Sequence, residues 1–321
     1  MSPRTKLRDR LPAPVWSLAL KGYVVARYLR HIAGDSTLRL LTALRLQRRS
    51  LGRVPDLVNP QLFTDKIRWR MLYDRRPLLQ MCSDRLAARD YVAARAGEKY
   101  LVPLLGVFDR PAEVPWAHLP PPYVVKATHG QGWNLFVRGP GEVDAEDFQQ
   151  QLERWLKTNF YHVSWEWSYK DVPRRIIVER FIGLEGKAPD DYKVHCFDGE
   201  PRAIGVCHDR FTPAYKWTWH DPSWNSLSFV SPFHRQLQST PTLAPPPSRL
   251  EEMLELARVL SRGFDYVRVD LYCVGDEVYF GELTPTQAAA NRPLSEAGET
   301  WMGAFWQLPS RDEVRKPRRS G

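Results

Sequence analysis

Apolar and polar positions alternate most sharply in "VRVDLYCVGDEVYFGELTPTQ", residues 267–287. Successive side chains of a strand point to opposite faces, so Val267, Val269 and Leu271 share one face and Arg268 and Asp270 the other. Gly275-Asp276 predicts a tight turn, and a second strand then delivers Glu282. Asp270 and Glu282, on opposite arms, are placed to face each other. Burying unpaired carboxylates is costly, so a hairpin this apolar needs something cationic beside them.

Elsewhere the patterning predicts further elements. Residues 60–96 read as two helices: the first breaks near Pro77, and the second is capped by Ser83 and ends at Gly97. A buried strand is expected over 99–109, and strand, glycine loop and strand over 118–141. A helix from Ala145 to Asn159 and a strand over 174–183 follow. Residues 191–210 form a hairpin turning at Asp198-Gly199, and 215–224 a further strand and turn. The proline-rich stretch 239–249 is a connector. Ser248 and Glu251 form a capping box for a helix to Arg262. Strand pairs interleaved with helices predict an α+β or α/β fold with mainly antiparallel sheets.

A chain of 321 residues has room for about two domains. Its 43% hydrophobic content and 12 tryptophans point to a sizeable core. No run of about 18 apolar residues occurs, so no spanning helix is expected. The Met1-Ser2-Pro3-Arg4 start predicts no signal peptide. Cys82, Cys196, Cys207 and Cys273 lack metal-ligand spacing and read as free thiols of a reducing cytoplasm. The net charge of +9 is uneven: residues 1–50 hold 11 Lys/Arg against 2 Asp, and 310–321 hold 5 against 2 acids. The remaining body, with 30 basic and 33 acidic residues, is slightly negative, which argues against nucleic-acid binding. Basic ends on a near-neutral body suggest anchoring or targeting. The stretch 15–32 suits a helix lying on an anionic membrane surface or one packed on its own domain, and the packed helix is preferred.

Four segments carry candidate chemistry, each with a plainer structural reading beside it. In "VVKATHGQGWN", Lys126 ends an apolar strand, and Gly130 and Gly132 let backbone turn closely over a ligand; taken alone, it is more readily a simple hairpin. In "IIVERFIG", Glu179 leads into a linker, Arg180 to Gly183, whose backbone could meet an adenine edge, although a core strand leaving its sheet looks the same. In "DDYKVHCFDG", Asp191 and Lys193 share a face, as a ribose acceptor beside a phosphate-binding ammonium or as an edge ion pair. In the 267–287 hairpin, Asp270 and Glu282 could hold a hard divalent cation, and the Arg268 fork suits a phosphoryl oxygen; the rival is a structural ion-pair network.

In order along the chain these parts resemble the ATP-grasp superfamily, and within it the TupA-like amidoligases linked to teichuronopeptide-type cell-surface polymers. The resemblance runs from about Asn59 to about Gln287. It is carried by "FTDKIRW", "DRLAARDYV", "YLVPLLGVFD", "YVVKATHGQGWN", "IIVERFI", "DYKVHCFDG", "HDRF" and "VRVDLY…FGELT". The D-x-K and R-x-D…E pieces are also similar to those of tubulin-tyrosine-ligase-type enzymes.

The resemblance implies an α+β, ATP-grasp fold in which two antiparallel-rich subdomains sandwich ATP. The parts would be a basic helical N-terminal extension (1–52), an N-terminal lobe (53–120), a lid with the glycine-rich loop (121–183), a core with the metal site (184–309) and a disordered basic tail (310–321). It implies that Lys126 meets an α/β-phosphate oxygen and that Thr128, His129, Gly130 and Gly132 belong to the loop closing over the phosphates. Glu179, Phe181 and Ile182 would form the adenine linker, and Asp191 would meet the ribose. Lys193 and Arg268 would be catalytic, neutralising the transferred γ-phosphoryl group, and Asp270 and Glu282 would hold Mg²⁺. The implied activity is ATP-dependent, acyl-phosphate-forming ligation of a carboxylate to an amine, in the biosynthesis of a cell-envelope polysaccharide. The implied setting is the cytoplasm, with the basic N-terminus against the inner membrane face. A kinase of the same fold and a non-catalytic nucleotide- or glycan-binding relative are the alternatives. The chain departs from the family pattern at Thr284, where Asn or Asp is common, and at "PTQAAANRP" (285–293), where relatives are glycine-rich. It departs also at Arg85, where Lys is common.

Overall fold

The computed structural model describes residues 53–142, 144–184, 186–229 and 245–314. The expected N-terminal extension, its 15–32 helix and most of the 239–249 connector lie outside the described residues. From Pro55 on, the described chain forms one compact unit.

Three helices open it: α1 (Phe63–Tyr73), α2 (Pro77–Ser83) and α3 (Arg85–Ala96). Sequence patterning predicted two helices here and a cap at Ser83. Pro77 instead starts a short helix of its own, suited to a first turn where the missing N–H costs nothing. The cap of α3 is Asp84, whose Oδ1 accepts from the backbone N–H groups of Leu86 (2.9 Å) and Ala87 (3.4 Å). Ser83 ends α2 with its hydroxyl on Ser168 Oγ at 2.7 Å.

The first sheet contains β1 (Leu104–Phe108), β2 (Tyr123–Ala127), β3 (Asn134–Val137) and β4 (Ile176–Arg180), in the order β1-β4-β2-β3 with every pair antiparallel. Between β3 and β4 come α4 (Ala145–Lys157) and the single turn α5 (Tyr161–Ser164). Alternation sends Tyr123, Val125, Ala127, Val137, Ile176 and Val178 into a core with Leu152 and Trp155 of α4. Lys126 and Glu179 therefore point from the opposite face. The strand expected to be buried over 99–109 is the edge strand β1, with Leu104 and Val107 exposed.

The second sheet runs β7-β6-β5-β8-β9, again wholly antiparallel. Its strands are β5 (Asp191–Phe197), β6 (Glu200–His208), β7 (Lys216–His220), β8 (Tyr266–Val274) and β9 (Glu277–Thr284). The predicted turns at Asp198-Gly199 and Gly275-Asp276 are present. Val194, Val206, Val267, Val269 and Leu271 face α3 and α6 (Leu250–Ser261). The predicted capping box of α6 is absent: Arg249 occupies the cap, and Ser248 Oγ donates to Gly275 O at 3.3 Å. On the sheet's other face, Phe197, Ala203, Trp219 and Tyr266 are covered by α1 and α7 (Glu296–Ala304), with Trp306 fully buried among them. The remainder of that face carries charged side chains, Asp191, Lys193, Arg268 and Asp270 among them.

Residues 310–314, expected within a disordered tail, are packed on the unit. Arg75 N donates to Val314 O at 2.8 Å, Val314 is buried, and the Arg311 guanidinium lies 4.1 Å from the Tyr73 ring centre. No helix among the described residues is long and apolar enough to cross a membrane.

Candidate active site

The rest of that face of the second sheet gathers charge. Asp270 and Glu282 are direct cross-strand partners on β8 and β9, and Lys193 on β5 is opposite Asp270 on its other side. The Arg268 Nε donates to Asp270 Oδ1 at 2.6 Å and its Nη2 to Oδ2 at 2.7 Å, a forked pair two residues apart on one face. That Nη2 also reaches Glu282 Oε1 (3.1 Å) and Thr284 Oγ1 (3.0 Å). Lys193 Nζ bridges Asp270 Oδ2 (2.6 Å) and Asp191 Oδ2 (2.8 Å), and Arg210 Nη1 joins Asp191 Oδ2 at 2.9 Å. The cationic partner that the buried carboxylates require is thus Arg268 with Lys193.

The two buried cations of this network keep their charges. Burial works against protonation of Arg268, but Asp270 and Glu282 outweigh it and hold the guanidinium more firmly charged than usual. Lys193 behaves alike, with Asp191 and Asp270 overcoming the burial. Glu282 is the most accessible of its carboxylates, its side chain 32% exposed against 3% for Asp270.

Across the cleft, Lys126 Nζ donates to Glu179 Oε2 at 2.5 Å and Arg89 Nη1 to Glu179 Oε1 at 2.7 Å. Burial would raise the Glu179 carboxyl, but these two cations hold it below its ordinary value. The N-terminal turn of α3 joins the two sheets. Arg85 donates to Ala127 O (3.1 Å) and Gly130 O (3.2 Å), and its Nη1 lies 3.8 Å from Glu282 Oε2. Between them is a cleft of about 480 Å³, open mouth included, lined by Arg85, Arg89, Gly130, Ile177, Glu179 and Glu282 among others.

The structure brings Lys193, Asp191, Arg268, Asp270 and Glu282 into one network, and Lys126 and Glu179 into a second facing it. Phe181 and Ile182 follow β4, with the Phe181 ring 6.4 Å from that of Phe136. Gly132 has φ +70°, a conformation natural to glycine. Two loop side chains turn away from the cleft. Thr128 Oγ1 donates to Pro173 O at 2.7 Å, and the buried His129 pairs Nε2 with Trp155 O at 3.0 Å. Only their backbone is available to a ligand.

Sequence reading missed Arg89, whose partner is 90 residues away, and Glu166, 1% exposed and bound by Thr286 Oγ1 at 2.5 Å. Burial pushes Glu166 up to about 7; Thr286 and Arg68 oppose that rise and Glu282 adds to it. Arg89 lies within "DRLAARDYV" but its partner is distant in sequence, and Glu166 belongs to none of the motifs, so no local signal marked either contact.

This arrangement of two antiparallel sheets and an acid-and-base cleft belongs to the ATP-grasp class. The chain is a member of the TupA-like ATP-grasp family, whose model matches residues 65–305. No curated protein matches it. Among solved structures it is similar to L-amino acid ligase from Bacillus licheniformis, at 16% identity and TM-score 0.40, over 65% of this chain and 44% of that one. It is also similar to D-alanine–D-alanine ligase from Bacillus anthracis complexed with ATP, at 14% and 0.38, over 64% and 54%. A third is the ATP-grasp ligase PsnB, complexed with a phosphomimetic variant of its minimal precursor, Mg and ADP, at 10% and 0.41, over 73% and 60%. The match thus spans from under half to three fifths of those chains, and membership rests on the family match.

The residues fit the groups this family implies. Asp191 Oδ1 is buried without a hydrogen-bond partner, an acceptor suited to a ribose hydroxyl. Lys126, Lys193, Arg268 and Arg85 provide the cationic walls a triphosphate needs. No cluster of three or more His, Cys, Asp or Glu able to hold a metal occurs among the described residues. The pair Asp270 and Glu282 suffices for Mg²⁺, which takes one or two carboxylates and completes its shell from phosphates and water.

Proposed function

We propose that this protein is an ATP-dependent carboxylate–amine ligase working through an acyl phosphate, and that it modifies a cell-surface polysaccharide or its precursor. One observation carries the reading: Arg268 and Lys193 are both locked onto Asp270, beside Glu282, which lines the cleft. Such an array suits phosphoryl transfer, where positioning and neutralisation of charge do most of the work. Mg²⁺, when bound at Asp270 and Glu282, would neutralise phosphate charge and free Arg268 and Lys193 to turn towards the transferred group.

A donor carboxylate oxygen attacks the γ-phosphorus, the bond to the β,γ-bridging oxygen breaks, and ADP departs with that electron pair. An amine then attacks the acyl carbon and expels phosphate, leaving an amide. Arg268 and Lys193 would steady the charge on the phosphoryl oxygens, and Arg85, tied to both the loop and β9, would keep the cleft closed to water. The basic segment 1–50 would hold the enzyme at an anionic membrane face; fractionation that salt leaves unchanged would count against that placement.

The test is incubation with Mg²⁺, ATP, candidate donors (glutamate and uronic acids) and hydroxylamine. Hydroxamate formed in step with ADP supports the ligase. A phosphorylated product without hydroxamate indicates a kinase, and nucleotide binding without turnover a non-catalytic relative.

A further inference from the structure

Between α5 and β4 runs a short segment that the proposed chemistry does not use, although it is tied to three elements around the cleft. It is Glu166 followed by the single helical turn Trp167–Tyr169, with the Tyr169 N–H donating to Glu166 O at 3.1 Å. Tyr169 lines the cleft, and its hydroxyl accepts from Gln131 Nε2 at 2.9 Å. Gln131 stands between Gly130 and Gly132, so this bond holds the glycine loop. Ser168 Oγ accepts from the Ser83 hydroxyl at 2.7 Å, where α2 gives way to α3. Glu166 Oε1 accepts from Thr286 Oγ1 at 2.5 Å, just past the end of β9 that carries Glu282.

Glu166, Ser168, Tyr169 and Thr286 are all buried. A buried polar group stripped of its partner is unfavourable, so neither loop shifts freely without the segment between them. The turn beyond β9 depends on such anchors. Arg70 Nη1 holds Pro285 O at 3.0 Å and Glu166 holds Thr286, and Ala288, Ala289 and Ala290 then follow in left-handed backbone that a Cβ disfavours.

The Tyr169 hydroxyl has one capacity left over. It accepts from Gln131, but no acceptor among the described residues takes its proton. Burial pushes the phenol well above its ordinary value, Glu166 and Glu282 add to that, and Gln131 and Arg85 oppose it only in part, so the group stays a donor. An O–H on the cleft wall that Gly130 also lines suits an anionic oxygen such as that of a phosphate. We propose that Tyr169 binds a nucleotide phosphate while holding Gln131, and that Glu166, a positioning residue, passes this to Thr286, so that nucleotide under the glycine loop steadies the 285–290 turn. The inference rests on the ligase reading, because it needs a nucleotide in the cleft. It adds two residues to the machinery and couples the glycine loop to the turn that follows the metal-binding strand.

The test is hydrogen exchange of the full chain with and without a non-hydrolysable ATP analogue and Mg²⁺, alongside calorimetric titration of the same analogue. Wild type should bind it and exchange more slowly both at the glycine loop and over 285–293. Tyr169→Phe removes one hydroxyl: affinity should fall about tenfold, the scale of one lost hydrogen bond, and 285–293 should lose its nucleotide-dependent protection even at saturation. Thr286→Val should bind nearly as wild type does and keep the protection of the glycine loop while losing that of 285–293. Thr286→Ser should restore it, which a loss of packing alone would not predict. Unchanged affinity and protection in Tyr169→Phe, or a Thr286→Val that keeps the protection of 285–293, overturns the inference. Should Thr286→Val fail to fold, Tyr169→Phe decides alone. If wild type binds nucleotide without slowing exchange over 285–293, only this inference falls. If wild type does not bind nucleotide, the ligase reading falls with it.

Discussion

Lys193 Nζ lies 2.6 Å from Asp270 Oδ2, across the register that pairs β5 with β8. Both are buried, and Arg268 holds the same carboxylate from the other side. Asp270 is therefore the hub of the cleft, and the charges around it balance only as a set.

Removing one member should be costly. Arg268→Met leaves Asp270 with Lys193 alone, and breaking a buried ion pair on one side costs about 3–5 kcal/mol. The urea midpoint should fall accordingly, and the double variant with Asp270→Asn should be less destabilised than the two single changes summed. Additive effects would show that the two side chains do not interact in solution.

Much of this hub was legible in the sequence, because its spacing is local. Arg268 and Asp270, like Asp191 and Lys193, are two apart on strands and so share a face. The Gly275-Asp276 turn alone would set Gly281 opposite Asp270, and an irregularity in register between Asp270 and Leu271 brings Glu282 there instead. Contacts that depend on tertiary assembly were hidden: Arg89 with Glu179, Glu166 with Thr286, Arg85 with Glu282. Local signals also misled. The Ser248–Glu251 spacing suggested a cap, but the Gly275 carbonyl takes the serine hydroxyl. The apolar 99–109 stretch suggested a buried strand, yet β1 closes a sheet edge. His129, beside the glycines, looked like a loop ligand, but packs against Trp133 and Trp155 at the core of the first sheet.

Asp265 should shape stability in acid. It accepts from Arg70 (2.7 Å), Arg76 (2.7 Å) and Trp306 Nε1 (2.8 Å). Burial works against its charge, but Arg70 and Arg76 prevail and bring it down to about 2. With the folded value below the unfolded one, the stabilisation is complete above about pH 4 and lost as pH falls through 2. It should amount to about 2 kcal/mol. Asp265→Asn should flatten the stability curve between pH 4 and 2; an unchanged acid limb would contradict the assignment.

The Asp84 cap should matter to α3. Asp84→Ala should cost about 1 kcal/mol, read as a lower thermal midpoint, and Asp84→Ser should recover most of it. Equal loss in both variants would mean that the cap is not what the carboxylate provides.

The "AAA" of 288–290 lies within the 285–293 stretch and adopts a backbone more natural to glycine. Ala288, Ala289 and Ala290 have φ of 47°, 48° and 56°. A left-handed residue with a Cβ costs about 1–2 kcal/mol, whereas glycine adopts that region freely. Ala288→Gly should therefore leave stability unchanged or slightly raised, while Ala288→Val should lower it by more than about 1 kcal/mol. A destabilising Ala288→Gly with a neutral Ala288→Val would contradict the left-handed turn.

The most direct measurement of the nucleotide site is thermal melting of wild type and Glu282→Gln with ATP, with and without Mg²⁺. Glu282 is half-buried at the cleft, so the substitution removes charge with little loss of packing. Wild type should be stabilised by ATP and further by Mg²⁺, by about 2.7 kcal/mol at a ligand concentration of 100 times Kd. In Glu282→Gln the magnesium-dependent part should vanish. A wild type whose melting ignores nucleotide, or a variant that keeps the full magnesium response, would contradict an ATP cleft with its metal held at Asp270 and Glu282.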